Sequence, residues 1–146
     1  MLTADSTLAI VQLAHHFENT FDAGDLNAHL ATWGEALAFA SPFGDYDDHA
    51  GYREWVTGFS QQMQQAGGTR HLITNWVIDE DGVDAATMTC YLTILAQTAD
   101  AGKPAVMATV RFEDRVERDP AREGFGGWRF ASRRLHLDQD VATLKS

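Results

Sequence analysis

Apolar positions at the start of the chain recur at a helical interval. Ile10, Ala14, Phe17 and Phe21 stand at i, i+4, i+7 and i+11, which predicts a helix over residues 3–22 with a single apolar stripe. Asp5 or Ser6 is placed to cap its start, and Ala23-Gly24 ends it. Asp25 then caps a short second helix, with Leu26, Leu30 and Trp33 on one face and Gly34 as its stop. Residues 37–40 predict a short strand, and residues 41–51, rich in Pro, Gly and Asp, a loop. A third helix is expected over residues 52–65 on a stripe of Tyr52, Trp55, Val56, Phe59 and Met63, stopped by Gly67-Gly68.

The second half changes period. Four β-rich or alternating runs cover residues 70–79, 84–98, 104–117 and 127–138. Asp81-Gly82 marks the first turn, Asp100-Ala101-Gly102-Lys103 the second, and residues 119–126 a longer third connection. Short links between successive strands favour antiparallel neighbours. Helices first and a meander afterwards is an α+β order. The expected architecture is three N-terminal helices packed on a curved, mainly antiparallel sheet, forming a cone whose open mouth is a pocket. No repeat, low-complexity tract or linker divides residues 1–146, so one domain is expected.

Alternation also bears on partners. Run 84–98 is apolar on both sides, with Met88, Cys90, Leu92 and Ile94 on one and Tyr91 and Leu95 on the other. A sheet with one wet face alternates more cleanly. The outer face is therefore expected to be buried by a second copy, as a homo-oligomer, dimer or trimer.

Composition narrows the function classes. The formal net charge of -10 repels phosphate backbones and anionic headgroups, which argues against nucleic acid and membrane partners. The single cysteine, Cys90, excludes an intrachain disulfide and reads as a buried free thiol. The first residues lack a basic and apolar leader, and no apolar run approaches a membrane span of roughly 20 residues. The expected location is the cytoplasm.

Local patterns then carry a resemblance. Phe21-Asp22-x-x-Asp25 is followed by Trp33, and Gly51 precedes the third helix. Arg70-His71-x-x-x-Asn75 opens the first long strand. Phe112-x-Asp114-x-x-x-Arg118 leads into Trp128-Arg129-Phe130-x-x-Arg133. In this order, over nearly the whole chain, the set resembles the SnoaL-like branch of the nuclear-transport-factor-2-like superfamily. That group includes polyketide cyclases, with scytalone dehydratase and lindane dehydrochlorinase among its relatives. The β-subunits of aromatic-ring-hydroxylating dioxygenases are similar too, and the ending Leu137-Asp138-Gln139 resembles theirs.

The resemblance implies a catalytic dyad. An aspartate at the end of the first helix orients a histidine on the first long strand in these relatives, and Asp22 and His71 match those positions. A carboxylate accepting from one imidazole nitrogen fixes the tautomer and raises basicity at the other. The chain departs from scytalone dehydratase in having no second histidine over residues 86–97. His136, Tyr91, Tyr46 and Tyr52 are candidates for the missing proton donor.

Other candidates are weaker by residue type. Asn75, four residues after His71, is expected on the same strand face, holding a ligand or satisfying backbone groups. Arg118 and Arg133 read as partners of surface acids such as Glu113 or Asp114. His29 and His49 read as surface residues. His15-His16 point in different directions, and Asp45, Asp47 and Asp48 lack the ligand spacing of a calcium loop, so no metal is expected. Trp33, Phe39, Trp55, Phe59, Met63 and Met88 are core residues whose innermost members would line the pocket. Their abundance points to a small apolar or aromatic ligand, such as a polyketide-like or steroid-like ring. No Gly-rich cradle for phosphate follows a strand, and no cofactor is implied.

Three functions remain open at this point: a cofactor-independent lyase or isomerase using His71 and Asp22, a non-catalytic small subunit, and a ligand-binding module.

Overall fold

The computed structural model describes residues 2–97 and 102–144, and the expected turn at residues 100–103 lies partly outside them. Helix α1 runs Ala4–Ala23, α2 Leu26–Leu30 and α3 His49–Gln65, with a short α4 at Val141–Leu144. Among the described residues the strands are β1 Trp33–Ser41, β2 Gly44–Tyr46, β3 Thr69–Glu80, β4 Ala85–Ala96, β5 Ala105–Arg118 and β6 Trp128–Leu137. They form a single sheet in the order β2-β1-β6-β5-β4-β3. Neighbours are antiparallel throughout, except that β1 lies parallel to β6. The result is an α+β domain with helices on a mixed, mostly antiparallel sheet.

Local chemistry sets the element ends. Thr3, rather than Asp5 or Ser6, caps α1, its Oγ1 accepting the Ser6 N–H at 3.0 Å. Gly24, left-handed at φ 73°, closes α1 by donating to the carbonyls of Phe21 and Thr20. Asp25 caps α2 as expected, accepting from the Ala28 N–H. That helix ends at Leu30, so Trp33 opens β1 instead of belonging to a helix face. Asp48 caps α3, which starts three residues before the expected position and takes in Gly51. The loop expected over residues 41–51 contains β2, a short strand paired with the end of β1.

The core lies between the apolar stripes of α1 and α3 and one sheet face. Ile10, Leu13 and Phe17 of α1 and Tyr52 and Val56 of α3 meet the inward residues of the strands. On β4 these are Ala86, Met88, Cys90 and Leu92, while Thr87, Thr89 and Tyr91 between them are exposed. Cys90 is a buried free thiol, and burial pushes its pKa up to about 12. No helix among the described residues is long and apolar enough to cross a membrane.

One bulge changes the face assignments. Thr74 pairs with Tyr91 and Val77 with Thr89, so Asn75 and Trp76 together stand opposite Cys90. Asn75 adopts φ 54° there. The bulge takes it out of the two-residue alternation that would have put it beside His71, and it is exposed.

Candidate active site

Asp22 occupies the last full turn of α1, two residues before the Gly24 cap, and is buried. β3 begins directly beneath it. Both carboxylate oxygens are engaged by that strand. Oδ1 receives the Thr69 hydroxyl at 2.7 Å and faces His71 Nδ1 at 2.6 Å, and Oδ2 accepts the His71 backbone N–H at 2.8 Å. Gln64 of α3 donates to the Asp22 carbonyl at 2.8 Å and ties the third helix to the same corner. The carboxylate therefore fixes the histidine through both its main chain and its ring, with Nδ1 as the protonated nitrogen. Nε2 has no hydrogen-bond partner among the described residues.

The electrostatics follow from burial and this pairing. Burial alone raises the Asp22 pKa, but the hydrogen bond and charge of His71, with the Thr69 hydroxyl and the His71 N–H, outweigh it and hold the carboxyl below its ordinary value. Burial alone lowers the His71 pKa, but Glu18 and then Asp22 reverse this and hold it above the ordinary imidazole value.

Glu18 was not singled out from the sequence. It sits one turn before Asp22 on α1, is only 3% exposed, and places Oε2 4.0 Å from His71 Nε2. Its other oxygen lies 3.6 Å from Arg133 Nη1. Arg133 in turn holds Asp114, with Nε to Oδ1 at 2.8 Å and Nη2 to Oδ2 at 3.1 Å. A line of charges thus runs through the core from Asp22 to His71, Glu18, Arg133 and Asp114. The expectation of an Arg133–Asp114 partnership holds, but both groups are buried rather than on the surface, because both fall on inward positions of β6 and β5. The sequence signal for Glu18 was the spacing Ala14, Glu18, Asp22, which continues the α1 stripe at intervals of four.

The aromatic residues divide into two groups. Phe21 meets the His71 ring edge-on at 5.3 Å, Phe59 lies 5.6 Å from Phe21, and Trp55 stacks on Phe59 at 5.3 Å. Trp55 and Phe59, both half-buried, so extend an apolar wall outward from the dyad. Trp33 and Met88 are fully buried core, Trp33 packing on Phe17, Tyr52 and Phe130.

The remaining candidates fall elsewhere. Tyr91 is 53% exposed, on the outer side of β4, and Asn75 is exposed at the bulge, so neither faces the dyad. His136 pairs with Glu113 at 3.4 Å among half-exposed side chains, and Arg118 lies 3.5 Å from Asp84. His29 is not a surface residue. It is 1% exposed, with Nδ1 to the Phe17 carbonyl at 2.8 Å and Nε2 receiving the Tyr52 hydroxyl at 2.7 Å. That bond commits Tyr52, and burial lowers the His29 pKa to about 4. Two cavities of about 350 and 810 Å³ lie along β1, and neither is lined by Asp22 or His71.

Helices packed on a single, mostly antiparallel sheet make this a small α+β domain. The chain belongs to the SnoaL-like domain family, whose pattern matches residues 3–134. Its fold is the nuclear-transport-factor-2-like or cystatin-like one. Similar solved structures include a protein of unknown function with a cystatin-like fold from Nostoc punctiforme, 26% identical over 97% of this chain and 98% of that one, TM-score 0.77. A candidate scytalone dehydratase from Novosphingobium aromaticivorans is 17% identical over 94% of this chain and 89% of that one, TM-score 0.75. A candidate aromatic ring hydroxylase from Novosphingobium aromaticivorans is 21% identical over 96% of this chain and 94% of that one, TM-score 0.78. No curated protein matches the sequence significantly.

Proposed function

We propose that the chain is a cofactor-independent lyase or isomerase acting on a small apolar or aromatic molecule of polyketide-like or steroid-like shape. His71 is the general base through Nε2, and Asp22 orients it. The observation that carries this reading is the 2.6 Å contact between Asp22 Oδ1 and His71 Nδ1, with the opposite nitrogen making no hydrogen bond among the described residues. An imidazole held this way takes a proton from a carbon next to a carbonyl, and elimination, a double-bond shift or ring closure follows. The wall formed by Phe21, Trp55 and Phe59 supports an apolar or aromatic ligand. The likeness to a candidate dehydratase supports the reaction class.

The test is a panel of hydroxylated aromatic ketones incubated with the protein in heavy water. Water loss and deuterium uptake next to the carbonyl are followed by mass spectrometry. Wild-type turnover or exchange that His71→Ala abolishes is the expected result. Neither on any ketone would sink the reading.

The second reading is an assembly subunit, and one observation favours it. The outer sheet face exposes Leu72, Val77, Tyr91, Val106 and other large apolar side chains. On either reading we propose that a second copy covers this face, as a dimer or trimer, and that the protein works in the cytoplasm.

A further inference from the structure

We propose that Glu18 is the acid partner of His71, the two sharing one proton and together receiving the reacting oxygen of the ligand. The catalytic half of this inference rests on the lyase reading; the proton-sharing half does not.

The geometry comes from one helix and one strand. Residues four apart on a helix share a face, so Glu18 and Asp22 of α1 bracket the same imidazole. Asp22 takes Nδ1 at 2.6 Å, and Glu18 stands at Nε2 at 4.0 Å. The longer distance is not a hydrogen bond, yet a single oxygen about 2.8 Å from each atom would bridge them. Glu18 Oε1 and Arg133 Nη1 are 3.6 Å apart, and neither has a hydrogen-bond partner among the described residues. Arg133 gives its Nε and Nη2 to Asp114, so it does not bind Glu18 by a two-point clasp. Buried polar atoms are normally satisfied. Here Nη1 and Oε1 lie unsatisfied within the core, adjoining the open nitrogen of His71.

The charged and titratable groups acting on Glu18 come from every side. They are His71 on β3, Asp22 on α1, Arg133 on β6 and Asp114 on β5. The Cys90 thiol of β4 and the Tyr52 phenol of α3 also feel its charge. Burial outweighs His71 and Arg133 and holds the Glu18 carboxyl above its ordinary range. The His71 imidazole is also held above its ordinary range. A carboxyl reluctant to ionise beside an imidazole reluctant to lose its proton is a pair that titrates as a unit.

The pair completes an elimination without a tyrosine or second histidine. Neutral His71 Nε2 removes a C–H proton, and the electron pair of that bond forms the new C=C bond. The leaving oxygen departs with its own bonding pair, and protonated Glu18 gives it a proton, so water is released. His71 is then cationic and Glu18 anionic. The proton returns from Nε2 to Oε2 through the released water, and the starting state is restored.

The test begins with the ligand-free, full-length chain, labelled with ¹³C in glutamate and ¹⁵N in histidine. The Glu18 carboxyl carbon and the His71 ring nitrogens are followed by NMR against pH. The proposal expects both signals to move at common midpoints, and Glu18→Gln to lower the His71 midpoint while Glu113→Gln leaves it in place. A Glu18 carboxyl that stays ionised while His71 titrates would identify Glu18 as a counter-ion of Arg133 and overturn the proposal. So would a His71 midpoint unmoved in Glu18→Gln. The wild-type measurement decides even if that variant folds poorly. On any ketone that is dehydrated, Glu18→Gln should lower kcat by about 100-fold or more with KM little changed. Full activity in that variant overturns the acid role. Coupled titration without turnover on any ketone supports the pair and counts against the lyase reading alone.

Discussion

Asp114 and Arg133 stand opposite one another on β5 and β6 and meet in a two-point ion pair with both side chains out of solvent. The guanidinium lies 4.4, 3.8 and 4.2 Å from the ring centroids of Phe17, Phe112 and Phe130, so its flat faces are packed as well as its edge. Removing Arg133 leaves Asp114 buried with no cation, and removing Asp114 leaves the guanidinium with no hydrogen-bonded carboxylate and only Glu18 at 3.6 Å. Asp114→Ala or Arg133→Met should therefore lower the unfolding free energy by about 3–5 kcal/mol in urea titrations. The double variant Asp114→Ala with Arg133→Met should lose much less than the sum of the two. Additive losses would show that the groups do not act as a pair.

His29 should make the protein acid-sensitive. Its folded pKa of about 4 is below the ordinary 6.5, so the unfolded chain binds the extra proton first. The contribution is full above pH 6.5 and is lost as pH falls toward 4. The whole loss is about 3 kcal/mol. His29→Gln keeps a donor for the Phe17 carbonyl and an acceptor for Tyr52, and it should flatten this part of the stability curve. An unchanged slope would assign the acid sensitivity to another group.

On the lyase reading the dyad sets a pH profile for turnover. A base must be neutral and its acid partner protonated, so the rate should rise with pH as the His71–Glu18 pair gives up its first proton and fall as it gives up the second. Asp22→Asn should lower the midpoint of the rise and cut the rate less than His71→Ala, since part of the orientation survives. Stability runs the opposite way. The imidazolium's pairing contributes fully below the ordinary imidazole value and is lost as pH rises through the folded one. The Asp22 carboxylate contributes above its ordinary value and is lost on acidification, because its folded pKa is depressed. Thermal melts of the two single variants across pH should show these opposite slopes.

Gly127 has no room for a side chain. Its φ is +85°, and a Cβ there would lie 2.2 Å from the Asp119 carbonyl oxygen. Gly127→Ala should cost more than about 3 kcal/mol, strain and clash together. Gly58 of α3 meets nothing within 4 Å, and Gly58→Ala should add up to about 1 kcal/mol. Paired thermal melts compare the two directly.

Self-association is checked by light scattering at micromolar concentration. The expected mass is that of a dimer or trimer, and Tyr91→Glu with Val106→Glu should reduce it to a monomer. A monomeric wild type would exclude the second copy.

Periodicity made much of this fold legible. The α1 stripe, the α3 stripe and the four long strands lie where their spacing puts them, within a few residues. The parallel β1–β6 pairing was not legible, because nothing local to Leu37 or Phe39 specifies a partner near Arg133. Asn75 was assigned to the wrong environment because face assignment assumes an unbroken two-residue repeat, and the bulge breaks it. Of the site, Asp22 and His71 were legible only through the family resemblance. Glu18 and Arg133 were passed over or assigned to the surface because charged residues usually stay there. His29 sits in a five-residue helix, too short for periodicity to reveal which side is buried.

The parallel strand pair also constrains the order of assembly. β6 lies between β1 and β5 in the sheet, although it follows all five other strands in chain order among the described residues. Until it is in place, β1 and β2 have no sheet to join, and the helices that flank them have only part of their support. Joining β1 to β6 closes a loop of most of the chain, the kind of long-range contact that makes folding slow. Arg133 arrives on that same strand, so Asp114 has no ion-pair partner before it docks. A chain cut short before Trp128 should then be an insoluble fragment rather than a weakened version of the same domain, and native structure should appear in a single step once β6 is present.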